Sequence, residues 1–491
     1  MGRKDVLIQL FMSKLKTLAT ETVLYGLGTI LPRMLNFLLV PLHTYVFSRE
    51  EYGAVTKLYA LVGFVNVIYM FGMETAFFRF ATKPESDAKR IFNLAESIVI
   101  YISLPLTILL VAFASPISQA LGVGQHPEYI IWLGIVMLMD AVVAIPFARL
   151  RLQKKAFQFS LAKIVNVIIV VALTYYFLVL SYDPAIGIGY VFMINVSANG
   201  FFILFFIKTL GSWRPAFDKQ ISGAMFQYAY PVMLTGAAGM TNEMFSRLTL
   251  DWWLPDHFYS NLSKEAALGI FGACYKYAVL MNLGIQAFRF AAEPFFFSHA
   301  ADKNSPILFA KINHYFLITC CIFLLAVSIN LDVLQHFIGE NFRDGLSIVP
   351  ILLLAYLFLG IYYNFSVWFK LKDKTYFGTW ITAGGAFITV AANYILIPYL
   401  GYTGSAWAAL LCYFSMTVAC FITGQKYYPI PYKVIHGLTY IVVTILLIYI
   451  VNLMQFGNPL LAILFHSLVI IVFVCAIYLF EREHLRQENK V

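Results

Sequence analysis

Two short stretches indicate how this chain is organised. Residues 78–84 read Phe-Arg-Phe-Ala-Thr-Lys-Pro, and residues 288–294 read Phe-Arg-Phe-Ala-Ala-Glu-Pro, so five of seven positions match at an offset of 210 residues. A weaker match follows each copy, because the basic segment 151–155 resembles the segment 370–374 at an offset of 219 residues. The pattern predicts an internal duplication; the alternative is a chance match of one heptapeptide in an aromatic-rich chain.

The composition around these stretches places the chain in a membrane. Of its 491 residues, 61% are hydrophobic and 12% are charged, and the mean hydropathy is +0.78. In soluble domains, about 45–50% of the residues are apolar and about 25% are charged. This excludes a soluble enzyme, a disulfide-rich secreted scaffold, a nucleic-acid-binding domain and a disordered chain. The apolar runs are continuous rather than alternating, which argues against an outer-membrane barrel.

The apolar runs predict about fourteen membrane-spanning helices joined by short loops, since each span needs about 20 residues. They lie near residues 22–46, 54–76, 91–115, 127–148, 158–181, 186–207, 222–248, 267–290, 308–330, 345–367, 376–398, 402–424, 434–454 and 459–480.

The loop charges predict the orientation. With a cytoplasmic N-terminus, 25 of the 34 Lys and Arg residues fall in inside segments and 3 in outside loops. This asymmetry follows the positive-inside rule and would disappear if one span were missed. We expect a bacterial cytoplasmic-membrane protein with both termini in the cytoplasm.

The duplication and the spans together predict the fold class. The chain is expected to be an all-α polytopic membrane protein with two parallel six-helix lobes around a central cavity, plus two further C-terminal helices. The predicted segments are a cytoplasmic amphipathic stretch (1–21), an N-lobe (22–215), a C-lobe (216–425) and spans 13–14 with the tail (426–491). Such lobes are typical of alternating-access transporters.

Ionisable residues within spans are costly and usually face a cavity or a partner. Arg33, Arg247 and Lys276 are therefore candidate cavity cations for an anionic substrate. The alternative for Arg33 is a structural ion pair with Asp140 of the fourth span. Arginine offers bidentate hydrogen bonds to phosphate, so a diphosphate is the group these cations suit.

Further polar residues accompany these cations. Glu243, Arg247 and Asp251 recur every four residues on one face of the seventh span, either lining the outer cavity or neutralising one another. Arg289 and Glu293 are a secondary candidate pair, for which a local ion pair is the alternative. The span amides that could bind sugar hydroxyls include Asn36, Asn242 and Asn282.

No catalytic or metal-binding pattern appears in the sequence. It has no glycine-rich phosphate loop, no His/Cys metal spacing and no Ser-His-Asp arrangement, and its six cysteines fall in apolar runs. We expect no enzyme activity and no cofactor, although coupling to the membrane potential, H⁺ or Na⁺ is compatible with the polar spans.

The runs YGLGTILPRMLNFLLVPLHTYVFSREEYG (25–53) and LGIFGACYKYAVLMNLGIQAFRFAAEPFFF (268–297) carry a family resemblance. With the span count and length, they resemble the Wzx-type polysaccharide flippases of the MOP (multidrug, oligosaccharidyl-lipid and polysaccharide exporter) superfamily. Arg33 matches that family's tendency towards a charged first span, and Lys276 and Arg289 lie in the second run.

The resemblance implies that the chain translocates an undecaprenyl-diphosphate-linked oligosaccharide for O-antigen, capsule or exopolysaccharide (lipopolysaccharide-type) assembly. Its implied partners are this glycan, membrane lipids and a glycan polymerase, with no nucleic acid. Three alternatives stay open. They are a lipid II (peptidoglycan precursor) flippase, a multidrug or cation antiporter, which would commonly carry an acid in span 1, and a membrane glycan polymerase.

Overall fold

The structure is a computed structural model that describes residues 26, 28, 30–35, 37–83, 86–300, 302, 304–454 and 456–488, with side chains as far as residue 482. The predicted amphipathic segment 1–21 and the candidate Asn36 lie outside the described residues. Within these ranges all regular structure is helical, as the sequence predicts.

The chain divides into two compact units, Met1–Gly272 and Ala273–Val491. The predicted segment boundaries, which rest on the duplication, stay a prediction. The helices that begin in the first unit are α1 (Val40–Val46), α2 (Arg49–Met70), α3 (Met73–Ala81), α4 (Ala88–Ala112), α5 (Ala114–Ala120), α6 (Pro127–Leu152), α7 (Ala156–Tyr175), α8 (Gly189–Phe205), α9 (Ile207–Gly211), α10 (Lys219–Trp253) and α11 (Lys264–Ser298).

Helix α11 continues across the boundary into the second unit. A π-helical turn, Tyr176–Leu180, extends α7, and two 3₁₀ segments, Gln335–Phe337 and Glu340–Ile348, precede α14. The helices of the second unit are α12 (Ser305–Ile329), α13 (Leu331–Leu334), α14 (Val349–Phe365), α15 (Val367–Leu371), α16 (Tyr376–Leu400), α17 (Tyr402–Tyr427), α18 (Val434–Asn452) and α19 (Pro459–Glu488).

Local sequence signals explain where several helices begin and end. Helix α2 begins with a capping box. The Ser48 hydroxyl accepts a hydrogen bond from the Glu51 backbone amide, and the Glu51 carboxylate accepts one from the Ser48 backbone amide. This arrangement satisfies two amides that helix geometry leaves unpaired. Phe71 and Gly72, with φ of 46° and 66°, separate α2 from α3. Gly401, with φ of 57°, joins α16 to α17.

The helical surfaces show that the chain is a multi-pass membrane protein. Eleven helices or continuous helical stretches in the described part are long and apolar enough to cross a bilayer. Large apolar side chains lie on their outer faces, for example Phe387 and Ile435, which are 75% and 79% exposed. An apolar surface of this extent needs lipid rather than water as its solvent.

The other three predicted spans explain why the count of fourteen stays a prediction. The first, 22–46, overlaps residues outside the described part. The sixth corresponds to α8, an apolar helix of only 17 residues. The seventh corresponds to α10, which is 35 residues long but carries Glu243, Arg247 and Asp251 and is therefore less apolar than the eleven.

Glycines allow two helices of the first unit to pack closely. A Cβ atom added to Gly53 of α2 would lie 2.1 Å from the Glu265 carbonyl oxygen, and one added to Gly269 of α11 would lie 2.0 Å from that of Arg49. The backbones therefore approach at a distance that only glycine permits, as small residues commonly do at membrane-helix interfaces.

Candidate functional site

The sequence-predicted site residues fall in both units. Arg33, Asp140, Asn242, Glu243, Arg247 and Asp251 belong to the first unit, whereas Lys276, Asn282, Arg289 and Glu293 belong to the second. Arg33 lies in the helical stretch 30–35, and its side chain is exposed.

Asp251 differs from its expected place on an open polar face. It is buried at the end of α10, where its carboxylate accepts a hydrogen bond of 2.5 Å from the Lys57 ammonium group of α2. The same Lys57 nitrogen lies 5.0 Å from the centre of the Trp252 ring. Lys57 and Asp251 thus form a buried ion pair that joins two helices.

The remaining α10 candidates lie earlier on the helix. Arg247 is partly buried and its guanidinium donates to the Met244 sulfur at 3.0 Å. Glu243 is partly exposed, and Asn242 is buried. Of the predicted polar stripe, Glu243 and Arg247 therefore retain some exposure, whereas Asp251 does not.

Asp140 belongs to a polar cluster inside the first unit. Its carboxylate accepts from the Asn199 amide at 3.0 Å, and Lys163 is the cation that interacts with it electrostatically. In the same cluster, the Asn195 amide donates to the Tyr59 hydroxyl at 2.7 Å. Asp140 therefore finds its hydrogen bond in Asn199, where the sequence suggested Arg33 as a partner.

Lys163 illustrates how a span cation is accommodated. Its ammonium nitrogen lies 4.2 Å from the Phe147 ring centre and 4.6 Å from that of Phe202. Aromatic faces attract cations through their quadrupoles, so the charge is stabilised within the unit. These rings come from α6 and α8, so no local sequence pattern around Lys163 indicates them.

The first copy of the repeated motif forms a basic cluster in the first unit. The Arg79 guanidinium stacks over the Tyr228 ring at 4.2 Å. Arg151, from the basic segment 151–155 that follows this copy, forms an ion pair with Glu74 and lies 4.9 Å from the Phe78 ring centre. The motif arginine thus contacts a tyrosine, and the following basic segment binds a glutamate near the motif.

The second copy repeats both interactions in the second unit. The Arg289 guanidinium stacks over Tyr363 at 4.7 Å. One carboxylate oxygen of Glu293 accepts from Arg289 Nε at 2.8 Å and from Lys370 Nζ at 2.6 Å. Lys370 occupies the position that the sequence repeat aligns with Arg151, so each of the two weakly similar segments binds a glutamate, although Glu74 and Glu293 are not at aligned positions.

The residues around Glu293 line a pocket, which we call the motif pocket; its polar lining comprises Arg289, Glu293, Tyr363, Asn364 and Lys370. Two cations share one carboxylate there, which leaves one net positive charge. Asn364 is 5% exposed, and its amide nitrogen has no hydrogen-bond partner among the described residues. A buried unpaired donor beside a net positive charge suits an anionic group, while the cavity of about 10 Å³ has room for about one water molecule in this conformation.

Sequence reasoning found only part of this pocket. It singled out Arg289 and Glu293 but assigned Lys370 to a charged loop and gave no special role to Asn364. The alignment of Lys370 with Arg151 was the signal that could have found it. Of the other candidates in this unit, Asn282 accepts from Gln286 at 3.4 Å and Lys276 is partly buried on α11.

No metal centre is evident in the described part of the chain. There, no group of three or more His, Cys, Asp or Glu side chains is arranged to hold a metal ion. Five of the six cysteines are buried and Cys475 is exposed.

Comparisons with known proteins agree with a membrane transporter fold. A family model described as "polysaccharide biosynthesis protein" matches residues 46–294, just over half of the chain. A search of curated proteins found no match.

Among solved structures, the lipid II flippase MurJ in an inward closed conformation has a TM-score of 0.72 at 14% identity, covering 93% of this chain and 99% of its own. An inward-facing multidrug resistance MATE family transporter of the MOP superfamily has a TM-score of 0.64 at 13% identity, covering 82% of this chain and 94% of its own. The Vibrio cholerae MATE transporter VcmN in a bent form has a TM-score of 0.55 at 15% identity, covering 84% of this chain and 96% of its own. These likenesses confirm the predicted resemblance to the MOP superfamily at the level of the fold.

Proposed function

The chain belongs to the polysaccharide biosynthesis protein family, and from this membership we propose that it is a flippase for polyprenyl-diphosphate-linked oligosaccharides. It moves the lipid-linked glycan from the inner to the outer leaflet of the bacterial cytoplasmic membrane by alternating access. The product supplies O-antigen, capsule or exopolysaccharide assembly, with a glycan polymerase as the consuming partner. The chain acts as a transporter, without catalysis and without a cofactor.

The motif pocket is the observation that supports this substrate class best. Arg289 and Lys370 together outweigh the single charge of Glu293, and the amide nitrogen of Asn364, another lining residue, has no hydrogen-bond partner among the described residues. A diphosphate carries negative charge and many acceptor oxygens that complement both features, and the pocket of about 10 Å³ must widen to admit it. A cationic drug would be repelled by the same pocket, which favours the glycan flippase over a multidrug antiporter.

The sequence candidates divide between binding and structural roles in this proposal. Arg33, Arg247 and Lys276 neutralise the diphosphate along its path. The amides of Asn242 and Asn282 bind sugar hydroxyls. Asp140 and Asp251 leave the substrate-binding set, because Asn199 and Lys57 respectively already bind their carboxylates.

A ligand-induced thermal shift tests the substrate class. A ligand that binds only the folded state raises the melting temperature by an amount that grows with the ratio of its concentration to its dissociation constant. We expect the purified chain to be stabilised by an undecaprenyl-diphosphate oligosaccharide and less by the corresponding monophosphate. We expect Lys370→Gln to reduce the diphosphate-induced shift, and Lys208→Gln, which removes an exposed lysine at a helix end, to leave it unchanged.

The ligand panel separates the alternatives. Stabilisation by lipid II alone would replace the proposal with a peptidoglycan-precursor flippase. Stabilisation by cationic dyes without any response to polyprenyl diphosphates would replace it with a drug exporter. An unchanged diphosphate response in Lys370→Gln would remove the motif pocket from the binding path.

A further inference from the structure

A carboxylic acid in the first unit is buried without a polar partner. Glu96 lies on α4 and is 0% exposed, and neither of its carboxyl oxygens has a hydrogen-bond partner in the described ranges. It lies eight residues from the beginning of α4, a distance of about 12 Å along the helix axis. Buried side-chain oxygens of this kind are normally paired, so this one needs a physical explanation.

The surroundings of Glu96 are apolar. Phe92 and Val99, one helical turn away on either side, belong to an apolar core of this unit. Ala141 and Ile145 of α6 and Met225 and Ala229 of α10 are members of the same core. An ionised carboxylate in such a core would lose its hydration without compensation, whereas a protonated carboxyl group would lose far less.

The neighbouring face of α4 shows a contrasting arrangement. Ser97 accepts hydrogen bonds from the Trp213 indole at 3.2 Å and from the Ala216 amide at 3.0 Å. Asn93 accepts from the Arg214 amide at 3.4 Å. The loop 213–216 therefore satisfies the polar groups on both sides of Glu96 in sequence and leaves Glu96 itself in the core.

The charged and titratable groups on the elements packed against α4 are engaged elsewhere. On α2, the Tyr69 hydroxyl bonds to Thr107; on α3, Glu74 pairs with Arg151 of α6, and Arg79 stacks on Tyr228 of α10. On α6, Asp140 accepts a hydrogen bond from Asn199, and Arg149 stacks over the Phe92 ring at 4.7 Å. In the segment before α10, the Arg214 guanidinium donates to the carbonyls of Gly211 and Trp213. Asp218 pairs with Arg90. Helix α5 has no titratable residue.

We propose that Glu96 is a proton-binding site that is neutral in the packed state of α4 and ionises only when this core opens to water. A proton fits the site better than a metal ion, because Na⁺ or Ca²⁺ needs several oxygen ligands and the core around Glu96 is apolar. Protonation would thereby stabilise one conformation over the other, which is the physical basis of proton coupling. The coupling of this site to glycan movement rests on the proposed function.

Infrared spectroscopy of the full-length protein in lipid tests the protonation directly. At pH 7, the wild-type minus Glu96→Gln difference spectrum should contain the C=O stretching band of a protonated carboxyl group. The matched control is Glu293→Gln, whose difference spectrum should contain carboxylate bands, since Glu293 lies between Arg289 and Lys370. Carboxylate bands at Glu96 would overturn the proposal.

Neutral replacements provide a second test. Glu96→Gln and Glu96→Met should both fold, because the site holds a neutral group; failure of both to fold would mean that the charge is needed and would overturn the proposal. In proteoliposomes, an imposed pH gradient should change the wild-type translocation rate, and this response should be lost in Glu96→Gln. A response to a Na⁺ gradient that depends on Glu96 would also contradict a proton site.

The two measurements separate the two proposals. If no glycan moves in any variant, the proposed function fails, while the infrared band still decides whether Glu96 binds a proton. If glycan moves and Glu96→Gln keeps the wild-type response to the pH gradient, the coupling fails and the flippase activity stands.

Discussion

At the scale of single residues, the buried pair of Lys57 and Asp251 shows how burial changes the role of a charge. The exposed fractions of the two side chains are 4% and 8%, so each depends on the other for compensation. Removing one partner of a buried pair costs more than removing both, because the remaining charge stays desolvated. The pair is therefore expected to stabilise the contact between α2 and α10 without taking part in transport.

We expect Lys57→Met to lower the free energy of unfolding by about 3–5 kcal/mol, since Asp251 would be left buried without its cation. The measurement is chemical denaturation of the purified protein in detergent. The double variant Lys57→Met/Asp251→Leu should recover most of the loss. Lys208→Met is the control and should be close to neutral, and a double variant less stable than Lys57→Met would contradict the assignment.

The residue scale is also where sequence reasoning was weakest. It identified Asp140, Asp251, Arg289 and Glu293 as span residues that need an explanation, which is correct because hydrocarbon makes every such residue costly. It named the local ion pair of Arg289 with Glu293, which the structure shows, but it could not find the distant partners. Lys370 is 77 residues from Glu293 and Lys57 is 194 residues from Asp251, and such pairings depend on helix packing that no local pattern encodes.

At the scale of helices, close contacts depend on individual glycines. Gly269 faces the Arg49 carbonyl of α2, whereas Gly284 on the same helix α11 has no atom within 4 Å of an added Cβ. The two positions therefore offer a matched comparison of the same substitution in the same helix.

We expect Gly269→Ala to destabilise the protein by about 1–3 kcal/mol, because a methyl group there must push two backbones apart. Gly284→Ala should be neutral or slightly stabilising, since alanine favours the helix by up to about 1 kcal/mol over glycine. Thermal and chemical unfolding in detergent measure both. Equal effects at the two positions would contradict the close approach of α2 and α11.

The N-terminus of α10 provides a pH-dependent prediction. The Asp218 carboxylate accepts from the backbone amides of Ile221 and Gln220 and pairs with Arg90 at 2.6 Å, and these interactions, led by the Ile221 amide, hold the pKa of Asp218 below its usual range. A lowered folded-state pKa means that the carboxylate stabilises the fold above its unfolded pKa. This contribution is lost as the pH falls through the folded pKa.

We therefore expect Asp218→Ala to lower the melting temperature at pH 7, because the helix loses its cap and the ion pair. The difference from the wild type should shrink as the pH falls below the ordinary aspartate pKa of about 3.9. Asp183→Ala, in a loop of the same unit, is a suitable comparison. A difference that stays constant down to the acid range would contradict the role of the ionised carboxylate.

At the scale of the whole molecule, the sequence predicted the class of fold well. Continuous apolar runs and short loops predicted an all-helical, multi-pass membrane protein, which the structure confirms. The first predicted span, the short helix α8 and the polar helix α10 limit the comparison of span counts. Composition identifies a membrane-spanning helix by its high apolar content. Helix α10 carries too many polar residues to be identified as a span by this criterion.

The repeated motif links the sequence to the molecule most directly. Arg79 and Arg289 each stack on a tyrosine, and Arg151 and Lys370 each bind a glutamate. The tyrosines and glutamates that make these contacts do not occupy aligned positions of the repeat, so the duplication stays a prediction. The likeness of the motif was visible in sequence, but the tyrosines and the acidic partners became apparent only from the packed helices.

The transbilayer movement of an undecaprenyl-diphosphate oligosaccharide in proteoliposomes tests the central claim most directly. We predict that movement requires the protein and is slower in Arg33→Ala but not in Lys208→Ala. An imposed potential that favours outward movement of negative charge, by about 2.3 kcal/mol per charge per 100 mV, should accelerate it. The absence of protein-dependent movement for any glycan length, together with ion-driven efflux of a cationic dye, would contradict the account.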